Sequence, residues 1–221
     1  MTLRLYLHPF SSYCQKALIA FYERDVPFEP VNIEHEGAMA RLAALWPFGK
    51  FPVLEDEERG KAFGEASIIV EYLDLRHPGP PPLVPRAAEA ALEVRLLDRV
   101  FDLHVHTPLQ KVIGDLLRPE GERDAQGVAE ARELARRAYA ILDERLARNG
   151  GPWAAGEAFT LADCAAAPAL FYAGMIEPFE AHPTLDAYYR RLRARPSFAR
   201  AVDEARPYRG YFPPGWREGW D

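Results

Sequence analysis

The chain has very little sulfur chemistry of its own. Its two cysteines, Cys14 and Cys164, are too few for a disulfide framework, and neither belongs to a closely spaced Cys/His set of the kind that holds zinc. Positive charge is also in short supply: 27 Lys and Arg stand against 33 Asp and Glu, a net charge of −6. With no basic field to gather phosphate backbones, nucleic acid is excluded as an expected partner. No stretch approaches roughly 18 uninterrupted apolar residues, so no membrane span is expected. The opening MTLRLYLHPF is interrupted at Pro9 before a signal-peptide core can form, which points to the cytoplasm. What is present, 48% hydrophobic and 27% charged residues in a chain of 221, is the composition of a folded globular protein of one large or two small domains.

Proline divides it. The densest run, from His77 through Pro78-Gly79-Pro80-Pro81-Pro82, forbids a continuing helix or a central strand. It predicts a linker over 79–85 between an N-terminal domain, 1–78, and a C-terminal domain, 86–221. Before the linker the hydrophobic period switches repeatedly. Leu3 to Leu7 alternates as a strand, and Ser11 and Ser12 offer cap oxygens to a helix from Tyr13 to Arg24. A strand over 28–33, a helix over 38–45, a hairpin of 51–55 with 61–63 and a helix over 65–76 complete the order βαβαββα, an α/β domain. After the linker the spacing is helical almost throughout, an all-α bundle. We expect helices over 86–117, to about 147, over 164–172, 184–194 and 197–205, then an aromatic tail, 208–221.

Chemistry is expected at junctions of strand and helix, because a helix N-terminus presents unpaired N–H groups and a partial positive charge. Pro9-Phe10-Ser11-Ser12-Tyr13-Cys14 joins the first strand to the first helix, and a thiolate or carboxylate would be stabilised there. Phe51-Pro52 opens a strand with a proline compatible with either peptide isomer. Gly64-Glu65-Ala66-Ser67 puts a carboxylate beside the free N–H groups of a further helix, a junction suited to an amino acid's ammonium and carboxylate together.

The ordered set Ser11-x-x-Cys14, Phe51-Pro52-Val53-Leu54, Glu65-Ala66-Ser67 leading to Tyr72-Leu73, the proline linker and Phe159-Thr160-Leu161-Ala162-Asp163 resembles the cytosolic glutathione transferases over nearly the whole chain. The resemblance implies a thioredoxin-like N-terminal domain with a cis-proline, an all-helical C-terminal domain, glutathione as cosubstrate and a homodimer with active sites near its interface. Ser11 falls where serine-type members hold the glutathione sulfur and where glutathionyl-transferring members keep a cysteine. Phe51 and Pro52 fall at the pair whose backbone meets the cysteinyl unit, and Glu65 and Ala66 at the pair holding the γ-glutamyl end. The family more often has Ser where Ala66 stands, so that hydroxyl is either missing or supplied by Ser67. Lys50 is a candidate partner for a glutathione carboxylate. The implied reaction is attack by the glutathione thiolate on a small electrophile, giving conjugation or isomerisation. Phe10, Phe101, His104, Pro108 and the aromatic tail are candidate walls for that electrophile.

Plainer readings stand beside these. Ser11 and Ser12 are ordinary helix caps in most sequences. Cys14 reads as a small buried hydrophobe, and Cys164 as core. Were Cys14 exposed and acidic, the chain would instead be a glutathione-dependent thiol reductase. A non-catalytic interaction protein on the same fold is a third reading. His104 and His106, two apart on a helix, do not share one metal ion, and His8 reads as structural. Thr160 and Asp163 read as a capping box. The tail is either a packed lid or a loose end.

Overall fold

The computed structural model describes residues 3–220; Met1, Thr2 and Asp221, which the expected domain bounds take in, lie outside the described residues. Strands β1 (Leu3–Leu7), β2 (Glu29–Asn32), β3 (Val53–Asp56) and β4 (Lys61–Phe63) form one sheet in the order β2-β1-β3-β4. β1 runs parallel to β2 and antiparallel to β3, and β3 is antiparallel to β4. Helices α1 (Ser12–Glu23), α2 (Ala38–Leu45) and α3 (Ala66–Arg76) alternate with the strands as expected, a thioredoxin-like arrangement. The period of two along β1 sets its two faces. Leu3, Leu5 and Leu7 enter the main core with α1 and α3, while Tyr6 meets Leu42 of α2 and Val53 on the other side. β3 starts two residues later than its hydrophobic run, because Pro52 has no N–H to give to a ladder.

The C-terminal part is all-helical: α4 (Ala88–Val100), α5 (Thr107–Leu116), α6 (Ala125–Asn149), α7 (Leu161–Ile176), α8 (Pro183–Arg193) and α9 (Pro196–Ala205). The single helix expected over 86–117 is interrupted. Phe101–His106 is a π-helical turn joining α4 to α5. Such a turn bonds i to i+5 and takes in one extra residue, so every side chain after it is rotated by about 100° from its place on an unbroken α-helix.

α7 is buried along most of its length and packs on α1 and α4, so the main core runs from the sheet through α1 into the helical part without a gap. Its start is fixed by Asp163, which accepts from the N–H groups of Thr160 and Ala154, both at 2.8 Å, and from the Tyr188 hydroxyl at 2.7 Å. This is the capping box the sequence implies, enlarged by two long-range partners. The tail packs rather than dangles. Trp220 stacks on Tyr189 at 5.2 Å and donates its indole N–H to the Phe171 carbonyl at 2.8 Å, and Trp216 packs against Phe10 and Phe171.

Candidate active site

Antiparallel pairing brings the end of β1, the start of β3 and the end of β4 to one edge of the sheet. That edge receives Ser11 from the β1–α1 junction, Phe51-Pro52 before β3, and Gly64-Glu65-Ala66 between β4 and α3. The N-termini of α1 and α3 therefore open on the same side, each with unpaired N–H groups. The Phe51–Pro52 peptide is cis, and pairing with β1 begins only at Val53 opposite Tyr6, which leaves Phe51 outside the ladder. Lys50 beside it is exposed.

The junction before α3 is tightly built. A Cβ on Gly64 would lie 2.3 Å from Cε2 of Trp46, so only glycine fits under the indole. Glu65 follows at φ 63°, the left-handed region that non-glycine residues rarely enter, with its side chain exposed. Ala66 is buried in the first turn of α3.

Ser67 points elsewhere. Its hydroxyl donates to Asp98 Oδ2 at 2.9 Å and accepts from Lys16 Nζ at 2.9 Å and from Arg99, so its proton and both lone pairs are used. The buried Lys16 ammonium in turn meets Asp98 at 2.5 Å and Asp102 at 2.8 Å, and Arg99 reaches the same two carboxylates. Two cations balance two carboxylates and clamp α1, α3 and α4 together. Burial holds the Asp102 carboxyl above its ordinary range even against the pull of Lys16. The Ser67 side chain therefore does not stand in for the hydroxyl that Ala66 lacks, because a cluster reaching back to α1 has already engaged it.

Three candidates compete for the reactive position, and their surroundings differ. Cys14 is fully buried, and burial pushes its thiol up to about 12, so it holds its proton at neutral pH. Ser12 is buried, and its Oγ lies 2.7 Å from Nε2 of His106. Ser11 is half-buried at the N-cap of α1, where its Oγ accepts from the Cys14 N–H at 3.4 Å. An oxygen that accepts in this way keeps its own proton to donate.

Ser11 and Ser12 border a cavity of about 480 Å³. Phe10 lines it as expected, but three of the other expected walls do not. Phe101 is in the core, His104 faces solvent and Pro108 is buried away from the cavity. The π turn contributes: its rotation shifts the residues that follow it, so that Leu109, Gln110, Ile113 and Leu117 take the cavity face rather than Pro108, and His106 at its end borders the cavity with them. Tyr172 and Ile176 of α7 and Tyr211 and Phe212 of the tail complete the wall. The tail is held there by the ends of β1 and β2: Tyr208 packs edge-on to His8 and accepts from Asn32, and Tyr211 donates to Glu34. Sequence reasoning missed the Ser12–His106 pair and the α5 and α7 walls. Leu109, Ile113 and Leu117, each four residues apart, carried a legible signal for one apolar face; the pair carried none.

A four-stranded thioredoxin-like sheet, with two helix N-termini and a cis-proline at one edge and a helical partner closing the cavity above, defines a two-domain protein: a thioredoxin-like domain followed by a helical one. Residues 5–81 match the glutathione S-transferase N-terminal domain and residues 96–196 the glutathione S-transferase C-terminal domain. The chain belongs to the glutathione S-transferase family, enzymes that use glutathione as cosubstrate. It is 28% identical over 214 residues to the probable maleylacetoacetate isomerase of Vibrio cholerae, covering 94% of this chain and 98% of that protein. Among solved structures it is similar to a glutathione S-transferase of Methylobacterium radiotolerans in complex with glutathione sulfonate, at 30% identity and a TM-score of 0.78 over 91% of this chain and 95% of that one. A Methylobacillus flagellatus glutathione S-transferase with GSH bound gives 25% identity and a TM-score of 0.80 over 90% and 98%.

Proposed function

We propose that Ser11 donates a hydrogen bond to the sulfur of bound glutathione and holds it as the thiolate, which then attacks an electrophile in the adjoining cavity. The observation that carries this reading is that Ser11 alone of the three candidates is half-open, at a helix N-terminus and on the cavity wall. A free thiol ionises near 8.5, and a hydroxyl donor with a helix N-terminus lowers that value, so more nucleophile exists at neutral pH. Attack gives a conjugate. Reversible addition to a double bond, followed by rotation and expulsion of the sulfur, gives isomerisation. The reductase reading through Cys14 lacks a thiolate, since burial keeps that thiol protonated.

In this reading the N–H groups of Ala66 and Ser67 take the γ-glutamyl carboxylate and Glu65 its ammonium. The Phe51 backbone before Pro52 pairs with the cysteinyl unit, and Lys50 takes the other carboxylate. Residues 1–78 form the glutathione-binding domain, 79–85 the linker and 86–221 the electrophile-binding domain. The exposed apolar side chains Leu92, Leu96 and Leu103, with Ile68 of α3, support a homodimer. A reduced thiol cosubstrate suits the cytoplasm.

Ser11→Ala tests the assignment. The expected result is a loss of roughly 10²-fold in kcat/KM for conjugation of a generic electrophile, together with loss of the thiolate absorbance of bound glutathione. Unchanged turnover removes Ser11 from the mechanism.

A further inference from the structure

Glutathione activation leaves one polar feature of the cavity wall unused. Ser12, in the first turn of α1, and His106, at the end of the π turn, both border the cavity and lie 2.7 Å apart, joined across 94 residues of sequence. The imidazole is held edge-on by Tyr13 at 5.0 Å. The other hydroxyls of the wall are engaged: Tyr172 donates to the Phe10 carbonyl at 2.7 Å and accepts from Gln15 at 3.1 Å, and Tyr211 donates to Glu34 at 3.0 Å. Gln110 is exposed at the rim. No Lys or Arg borders the cavity among the described residues.

We propose that the Ser12–His106 pair binds an oxygen of the second substrate, and that this substrate is an uncharged α,β-unsaturated carbonyl compound; the proposal rests on Ser11 holding the glutathione thiolate. In the step, the sulfur electron pair forms a bond to the β-carbon, the alkene π pair shifts toward the carbonyl, and negative charge collects on the carbonyl oxygen. His106, protonated on Nε2, donates to Ser12 Oγ, and Ser12 directs its own O–H to that oxygen. A proton from solvent then reaches the α-carbon, replacing the one the thiol gave up, so thiol and alkene become a thioether. A donor preset where charge develops favours the transition state over the ground state.

Two features narrow the substrate class. Burial, with the Lys16 ammonium nearby, pushes the His106 imidazole down to about 4, so the pair is uncharged at neutral pH and offers a carboxylate no counter-ion. A charged substrate would leave water for a wall without a cation, at a high cost. An electrophile that develops no charge on oxygen gains nothing from the pair.

The test compares benzylideneacetone, an uncharged enone, with hexyl iodide, whose leaving group is a weak hydrogen-bond acceptor. The ratio of their kcat/KM values serves as the readout because it is insensitive to the fraction of folded enzyme. We expect it to fall roughly 10²-fold in Ser12→Ala and to fall in His106→Leu, with His106→Gln, which keeps an N–H, retaining more of it. An unchanged ratio in Ser12→Ala overturns the proposal. A second arm needs no variant: the wild-type enzyme should prefer the methyl ester of an enone acid to the free acid by about tenfold or more, and the reverse preference overturns the substrate class. Turnover of hexyl iodide without turnover of benzylideneacetone overturns the substrate class, whereas a wild-type protein that does not bind glutathione by calorimetry removes the reading on which the proposal rests.

Discussion

At the scale of single residues, neighbours in sequence part company because of what they meet in space. Ser11 and Ser12 both suit a helix cap, but Ser11 takes that place, half-buried and accepting from the Cys14 N–H, while the buried Ser12 meets His106. His106 also leaves a signature in stability. Its folded value of about 4 lies below the ordinary 6.5, so between those limits the unfolded chain takes up the proton first. Above pH 6.5 neither state is charged at this site; as pH falls toward 4 the unfolded state gains, and on the order of 3 kcal/mol of stability is lost. Urea unfolding across that range should show a steeper acid loss in the wild type than in His106→Gln, and parallel curves would contradict the buried neutral imidazole. Ser67 teaches the same lesson. Nothing in the sequence around it shows its hydroxyl to be taken, but Lys16, fifty-one residues earlier, and Asp98 claim it.

At the scale of elements, the strand and helix order of the N-terminal half is legible because each change of hydrophobic period coincides with a Pro, Gly or cap residue. The π turn is not. It needs one extra residue within a helical pattern and no breaker, so an unbroken helical period places Pro108 on the face that Leu109, Ile113 and Leu117 occupy instead. The rotated face also carries Gly114, whose missing side chain leaves open space with nothing within 4 Å of a Cβ. Gly114→Ala should stabilise α5 by about 0.5–1 kcal/mol, measured by urea unfolding. Gly114→Leu should fill the cavity and lower kcat/KM for a bulky electrophile by roughly tenfold, with glutathione affinity by calorimetry unchanged. Weakened glutathione binding in that variant would mean that α5 reaches the other ligand as well.

At the scale of the molecule, the proline run announces a connector, and exposed apolar side chains lie on the helices either side of it, Ile68 on α3 and Leu92 and Leu96 on α4. Leu92 and Leu96 lie one turn apart on α4 and are exposed. Replacing both with Arg should convert the expected dimer to a species of half the mass in sedimentation, with the far-UV spectrum retained; an unchanged mass would move the interface elsewhere. The aromatic tail is visible as composition but not as a partner, since it packs on α7 and α8 and also reaches β-strand ends almost two hundred residues away. Tyr208 and Tyr211 grip His8, Asn32 and Glu34, and Phe212 meets Phe10 and Tyr172. The last part of the chain thus joins the cavity wall to the sheet edge, as Tyr172 and His106 do through Phe10 and Ser12, while the residues proposed for glutathione come before position 68. On the proposed assignment, a chimera that exchanges the tail should change which electrophile is accepted more than it changes the affinity for glutathione, so the two specificities would be separately inheritable.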